Sequence, residues 1–189
     1  MNVAILGWGS LIKEPRDLPI VGEWLLDGPK LWIEFSRISR KGDRAGCLTL
    51  VIDEECESEV TTFHVLNKRN DLAPAVADLQ KREGTSPDGI GFCEIATERI
   101  APKAMSRHPK SCERIFEWAK EKNFDAVVWT ALPRRFKDAI GITFTPVSAL
   151  EYLNGLPAPT KQKALEYIHG APEQTMTPFR RLLLPATAD

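Results

Sequence analysis

The sequence predicts an α+β fold that forms a single domain. Short apolar runs typical of strands cluster in the first half of the 189-residue chain, whereas helical patterns accumulate in the second half. The two kinds of element do not alternate regularly, which argues against a parallel βαβ architecture. A chain of this length corresponds to one domain. We expect its core over about residues 1–156, followed by a helical extension over 157–189.

The first half contains four strand-like runs. An apolar run over residues 3–6 stops at a glycine, as a buried strand does where it enters a loop. A second strand is expected over 31–35, and β-rich runs follow over 47–52 and 60–66. Only an acidic connection separates the last two runs, so we expect them to pair as a hairpin.

The next predicted element is a helix that ends near a carboxylate. Apolar side chains four and three positions apart, beginning at Leu72, predict one buried helical face. Asn70 or Asp71 is suited to cap the first turn, and Gly84 is suited to end the helix. The rest of the chain predicts a strand over 90–95, a helix over 111–123, a strand over 126–132, and helices over 147–153 and 160–168.

Composition argues against several functions. The chain has 25 Lys and Arg residues and 26 Asp and Glu residues, a formal net charge of −1, so no overall field attracts nucleic acid or an anionic membrane. No apolar stretch approaches the ~18 residues of a membrane span. The cysteines form no CxxC motif and the histidines fit no zinc-binding spacing. We therefore expect a cytoplasmic protein with reduced thiols.

The first candidate site directly follows the first strand. It comprises Gly7, Trp8, Gly9, Ser10 and Leu11. Two glycines permit positive φ and place no Cβ over the backbone, so successive N–H groups could turn inward and bind a carboxylate or phosphate. The segment matches neither a dinucleotide-binding pattern nor a nucleophile elbow. A glycine-rich turn without a ligand is the alternative interpretation.

The second candidate is Glu83, in the last turn of the predicted helix. The negative end of the helix macrodipole, together with burial, would favour the protonated carboxyl and make Glu83 a better proton acceptor near neutral pH. The alternative is a solvated glutamate whose charge is offset by Lys81 and Arg82.

The third candidate is Arg37, the first residue of a basic run that also contains Arg40, Lys41 and Arg44. Asp43 interrupts the run, and no aromatic side chain lies within it to stack on bases. We interpret the run as a solvated hairpin loop. Anion binding by Arg37 is the alternative.

The order of these features is more informative than any one of them. The first strand ends in an aromatic-Gly-Ser-Leu segment, a hydrophobic-Gly-x-x-Leu segment and Phe35 follow, and a leucine-rich helix ends in Arg82-Glu83-Gly84. Residues 126–133 and 150–156 complete the series. Together these segments resemble the gamma-glutamylcyclotransferase-like superfamily. That family usually has tyrosine where this chain has Trp8.

The resemblance implies a fold and a reaction. The fold would be a small mixed β-barrel surrounded by helices, with a pocket at one mouth. The enzyme would convert a γ-glutamyl amide or peptide, possible substrates including glutathione, to 5-oxoproline and the released amine, with no metal and no organic cofactor. Glu83 would act as general base and then general acid. The loop from Trp8 to Leu11 would hold the substrate's α-carboxylate or the developing oxyanion.

Two other functions remain open. A non-catalytic module could bind small anions in the same pocket, and the departure at Trp8 favours it. An RNA-contacting protein could use the basic run that begins at Arg37, but the near-zero net charge argues against it. The sequence predicts no membrane partner and leaves the oligomeric state open.

Overall fold

The computed structural model describes residues 1–184. Over these residues the chain forms ten strands and eight α-helices, which confirms the predicted α+β class. The strands are β1 (Val3–Gly7), β2 (Ile20–Leu25), β3 (Lys30–Leu31), β4 (Ile33–Ile38), β5 (Leu48–Ile52), β6 (Val60–Thr61), β7 (Phe63–Asn67), β8 (Ile90–Glu94), β9 (Arg99–Ile100) and β10 (Ala126–Thr130).

The helices accumulate toward the end of the chain, as expected. They are α1 (Ser10–Lys13), α2 (Leu72–Glu83), α3 (Pro102–Arg107), α4 (Pro109–Glu121), α5 (Phe136–Ile140), α6 (Pro146–Gly155), α7 (Ala158–Gly170) and α8 (Pro178–Leu183). No helix among the described residues combines the length and the apolar character that crossing a bilayer requires. Residues 185–189 of the predicted helical extension lie outside the described residues.

Six strands form an open mixed sheet in the order β2-β7-β1-β10-β8-β9. β1 and β10 are parallel, with Ile5 opposite Val128, and the other neighbouring pairs are antiparallel. The pairs β3-β6 and β4-β5 form separate two-stranded ladders. The ladders of residues 1–184 therefore do not close into the expected barrel. β9 is only two residues long and the register of β2 shifts after Val21, so neither edge offers the continuous ladder that closure needs.

The prediction of a hairpin between residues 47–52 and 60–66 is wrong. β5 pairs with β4, β6 pairs with β3, and β7 lies between β1 and β2. Because β7 lies beside β1, its Val65 is buried in the same core as the apolar side chains of α2. A β7 strand paired with β5 would lose this position beside β1. The hairpin that does form joins β4 to β5; Arg37 lies in β4, and the connection contains Arg40, Lys41 and Arg44 of the basic run.

The sheet separates two hydrophobic cores. On one face, Ile5 of β1 packs with Leu79 of α2. On the other face, Leu6 shares a core with Phe35 of β4 and with side chains of α4, α6, α7 and α8. Phe179 of α8 is fully buried there, so the C-terminal helices pack against the same core as the sheet.

Candidate functional site

A cavity of about 940 Å³ opens at the ends of β1 and β10. Because these two strands are parallel, Gly7 and Thr130 reach the same edge of the sheet. The carboxyl ends of neighbouring parallel strands are a common place for ligand sites. The end of α2, the connection between β4 and β5, and Tyr167 of α7 complete the wall.

The residues predicted from the sequence meet in this cavity. They come from three separate parts of the chain: the end of β1 with the following loop, β4, and the last turn of α2. The predicted residues that line the cavity are Gly7, Trp8, Gly9, Ser10, Leu11, Arg37 and Glu83.

Gly7 and Gly9 contribute by lacking a side chain, not by adopting positive φ. Neither has positive φ, contrary to expectation, and the φ of Gly9 is −142°. A Cβ on Gly7 would lie 2.8 Å from Cδ1 of Ile12 and 3.0 Å from the ring of Trp24. A Cβ on Gly9 would lie 3.1 Å from Cδ1 of Leu50. The glycines therefore allow the loop to pack closely against its neighbours.

The backbone of the loop supplies hydrogen-bond donors. Ser10 and Leu11 begin the short helix α1, and no carbonyl one turn earlier accepts their N–H groups. Both residues line the cavity. Trp8, in contrast, is only 5% exposed as a residue and belongs to the core. The backbone carbonyl of Trp8 accepts a hydrogen bond of 2.8 Å from Oγ1 of Thr175. Trp8 thus offers mainly its backbone to the cavity.

Both ends of α2 are capped as the sequence predicts. Oδ1 of Asp71 accepts a hydrogen bond of 3.2 Å from the N–H of Ala73. Gly84 adopts the left-handed conformation, with φ of 60°, and its N–H donates to the carbonyls of Gln80 and Lys81. The glycine ends the helix at Glu83 and so places this carboxylate at the cavity.

Arg82 offsets the charge of Glu83, as the alternative interpretation expects, but the glutamate is mostly buried and not solvated. Nη1 of Arg82 donates to its Oε1 at 2.6 Å, and the two side chains are only 7% and 16% exposed. Nε and Nη2 of Arg82 also donate to the carbonyl of Glu14, at 3.3 and 2.8 Å. The contact occupies one oxygen of the Glu83 carboxylate and fixes the orientation of the side chain.

The cavity is strongly basic. Seven cationic side chains line it, against three carboxylates. The cations are Arg16, Arg37, Arg40, Lys41, Arg44, Arg82 and Arg135, and the carboxylates are Glu14, Asp43 and Glu83. All four members of the basic run line the cavity, and Arg40 and Lys41 are also exposed to solvent, as the predicted solvated hairpin loop requires.

Arg37 is a half-buried cation among like charges. Its Nη1 donates to the carbonyl of Pro133 at 2.8 Å. Burial, followed by the positive charges of Arg135, Arg40 and Arg107, lowers the pKa of its guanidinium. An anion beside Arg37 would relieve this repulsion.

Arg44 is held in place by three partners. Its guanidinium lies 4.5 Å from the centre of the Tyr167 ring. Nη1 donates to Oγ of Ser10 at 3.2 Å, and Nη2 forms an ion pair of 3.7 Å with Glu14. Arg44 therefore links the β4–β5 connection to the glycine loop and to α7.

Sequence reasoning missed part of this wall. The sequence indicates Arg82 only as a charge offset. It allows Arg135, after Pro133, to line a rim but favours a solvated side chain there, and Tyr167 carries no local signal that could have found it. Arg134, the neighbour of Arg135, lines a second cavity of about 350 Å³ and pairs with Asp53 and Glu55.

In comparisons with known proteins, the chain matches no protein-family model, and no curated protein or solved structure matches it significantly. Within residues 1–184, no group of three or more His, Cys, Asp or Glu side chains is arranged to hold a metal ion.

Proposed function

We propose that the chain is an enzyme of the gamma-glutamylcyclotransferase type, which converts a γ-glutamyl amide or peptide to 5-oxoproline and the released amine. One observation supports this function above all. A largely buried glutamate, Glu83, and a loop with backbone donors, at Ser10 and Leu11, line the same cavity. The reaction needs a base for the attacking amine and donors for the anionic groups of the substrate.

The reaction is an intramolecular aminolysis. The α-amine of the γ-glutamyl group attacks its own γ-carbonyl carbon, and a new C–N bond closes the five-membered ring. Free α-amines have a pKa of about 7.7–8.0, so a base must take up a proton as the bond forms. Glu83 accepts this proton and then donates it to the departing nitrogen as the original amide bond breaks.

The loop would orient the substrate and stabilise charge. In this proposal the N–H groups of Ser10 and Leu11 hold the α-carboxylate or the oxyanion that develops on the γ-carbonyl oxygen. Because both reacting groups belong to one molecule, holding them in the attacking geometry accounts for much of the acceleration. The backbone of Trp8 serves here without the hydroxyl of the tyrosine that is usual in the family.

The proposal also includes the barrel fold of the family and a location in the cytoplasm. The open sheet and the β4–β5 ladder share one core and would correspond to the two halves of the family's barrel. No strand pairing links the sheet to this ladder among the described residues. All four cysteines are unpaired thiols, which suits the reducing conditions of the cytoplasm.

A second candidate is a non-catalytic module that binds small anions in the same cavity. The ion pair between Arg82 and Glu83 favours it, because an oxygen of the would-be base is already occupied by its neighbour. Such a module would bind glutamate or 5-oxoproline saturably and would form no product.

The test measures 5-oxoproline by mass spectrometry. Purified protein is incubated with glutathione, γ-glutamyl dipeptides and γ-glutamyl amines. We expect product from at least one of them and none after Glu83→Gln. Asp78→Asn removes a carboxylate from the same helix outside the cavity and should keep the activity. If a folded wild-type protein forms no product but binds 5-oxoproline in calorimetry, the non-catalytic module is the better assignment.

A further inference from the structure

The cavity holds more positive charge than a γ-glutamyl group needs. Seven cations and three carboxylates line it, and these come from four separate segments of the chain. The overall charge of the chain is −1, so this concentration is local and does not follow from composition. The γ-glutamyl part of a substrate presents one α-carboxylate, and its oxyanion adds one more charge during the reaction.

Part of the positive charge is already paired. Arg82 contacts Glu83, and Arg44 contacts Glu14. The first pair lies at the end of α2, where the proposed base is. The second lies beside the glycine loop, where the α-carboxylate of the substrate would bind.

A second group of cations has no such partner. Among residues 1–184, no carboxylate lies within ion-pair distance of Arg37, Arg40, Lys41 or Arg135. Arg16 has none either, but it lies beside Glu14, next to the glycine loop and apart in the chain from the other four. Arg37 and Arg135 come from different elements, yet they are close enough for the charge of Arg135 to lower the pKa of Arg37. Gathering like charges at a half-buried position costs free energy, and this cost is usual where a site is arranged for a ligand.

The identity of these residues indicates what they would bind. Three of the four are arginines, whose planar guanidinium groups donate paired hydrogen bonds to carboxylates and phosphates. The cations line the same cavity as the loop and Glu83, so one molecule can contact both groups.

We propose that Arg37, Arg40, Lys41 and Arg135 form a subsite for the leaving group of the substrate, and that this leaving group carries at least two negative charges, as two carboxylates or as a phosphate. The inference rests on the proposed cyclotransferase function and narrows its substrate class. A leaving group with a single charge or none would leave the subsite largely unneutralised.

The test compares pairs of substrates whose leaving groups differ in charge, and in the first pair the two leaving groups also have nearly the same size. One matched pair is γ-glutamyl-glutamate and γ-glutamyl-glutamine. The other is γ-glutamyl-O-phosphoserine and γ-glutamyl-serine. The rate of 5-oxoproline release gives kcat/KM for each substrate at fixed ionic strength. We expect the more highly charged member of at least one pair to be preferred by about tenfold or more, because hydrogen bonds to charged groups are strong where water is partly excluded.

Variants test whether the cations of the subsite cause the preference for the more highly charged substrate. Arg135→Gln and Arg40→Gln should each reduce the ratio of kcat/KM within the preferred pair, mainly through KM. Arg40 is exposed, so its replacement is not expected to disturb folding even if that of Arg135 does. Arg99→Gln removes an equal charge from β9, outside the cavity, and should keep the ratio.

The outcomes separate the two proposals. A preference for the dicarboxylate alone, or for the phosphate alone, supports the subsite and identifies the anion. Equal kcat/KM within both pairs, with 5-oxoproline released, overturns the subsite and leaves the cyclotransferase function standing. No 5-oxoproline from any of the four compounds or from glutathione overturns the cyclotransferase function, and the leaving-group assignment with it.

Discussion

Arg82 and Glu83 are consecutive residues at the end of α2, and their side chains meet at 2.6 Å. Consecutive side chains of a helix normally point in different directions. Here the helix ends at Gly84, and the guanidinium of Arg82 spans from Glu83 to the carbonyl of Glu14. The proposed base is thus oriented by its own neighbour, and that neighbour is fixed by the segment that follows α1.

This ion pair should be measurable in the stability of the protein. Arg82→Gln leaves a largely buried carboxylate without its donor and should lower the free energy of unfolding by about 1–3 kcal/mol. The double variant with Glu83→Gln should cost less than the sum of the single variants, because neither partner is then left alone. Urea unfolding measures all of these values. Arg69→Gln breaks an exposed pair with Asp78 and should cost less than about 1 kcal/mol. Additive single effects would contradict the coupling.

Gly7 should tolerate no side chain. Gly7→Ala brings a methyl group against the ring of Trp24 and Cδ1 of Ile12, and we expect a loss of about 1–3 kcal/mol in stability. Thermal and urea unfolding measure this loss. Gly155→Ala, at the end of α6, is the control, because its Cβ would have nothing within 4 Å. Equal stability of the two variants would show that the loop yields without cost.

Glu34 should make stability depend on pH. It is fully buried, and its two oxygens accept the N–H groups of Phe35 and Phe179 at 2.7 and 3.1 Å. Burial raises the pKa of this carboxyl above its ordinary value of 4.5. The folded protein therefore retains the proton more tightly than the unfolded chain does. The free energy of unfolding should fall as the pH rises above 4.5, until the folded carboxyl has ionised.

Glu34→Gln should remove this part of the pH dependence, because glutamine does not titrate. Urea unfolding at several pH values between about 5 and 7 gives the slopes to compare. Glu57→Gln, a replacement of an exposed glutamate, is the matched control. An unchanged slope after Glu34→Gln would assign the pH dependence to other groups.

The cysteines should react in a fixed order. Burial raises the pKa of Cys93 and of Cys112 to about 12, and both thiols are enclosed in the core. Cys56 is partly exposed. We expect iodoacetamide to modify Cys56 first, and Cys93 and Cys112 only after unfolding, because the thiolate is the reactive form. Peptide mass spectrometry over time measures the order. Early labelling of Cys93 would contradict the burial described for β8.

Local signals predicted part of this molecule well. The helix α2, its cap at Asp71 and its end at Gly84 follow from side chains within one or two turns of each other. The first strand and its glycine loop follow in the same way. The loop and Glu83 were selected separately, and they line one cavity.

The features that the sequence did not predict depend on contacts between residues far apart in the chain. The partner of β5 is β4 and not the next β-rich run, because burial beside β1 decides the place of β7. The predicted solvated hairpin loop is confirmed for Arg40 and Lys41, which are exposed, but nothing within the run indicates that Arg135 lines the same cavity from the segment after β10. The edge strand β2 was missed because Gly22, with φ of 78°, interrupts its strand pattern.

The hydrogen bond from Thr175 to the carbonyl of Trp8 joins residues 167 positions apart. Proteins are synthesised from the N-terminus, and the glycine loop and Glu83 emerge from the ribosome long before Thr175 does. A nascent chain that has reached only α6 has neither this bond nor the ring of Tyr167 under Arg44. The complete cavity therefore forms late in translation, and unfinished chains lack the assembled site.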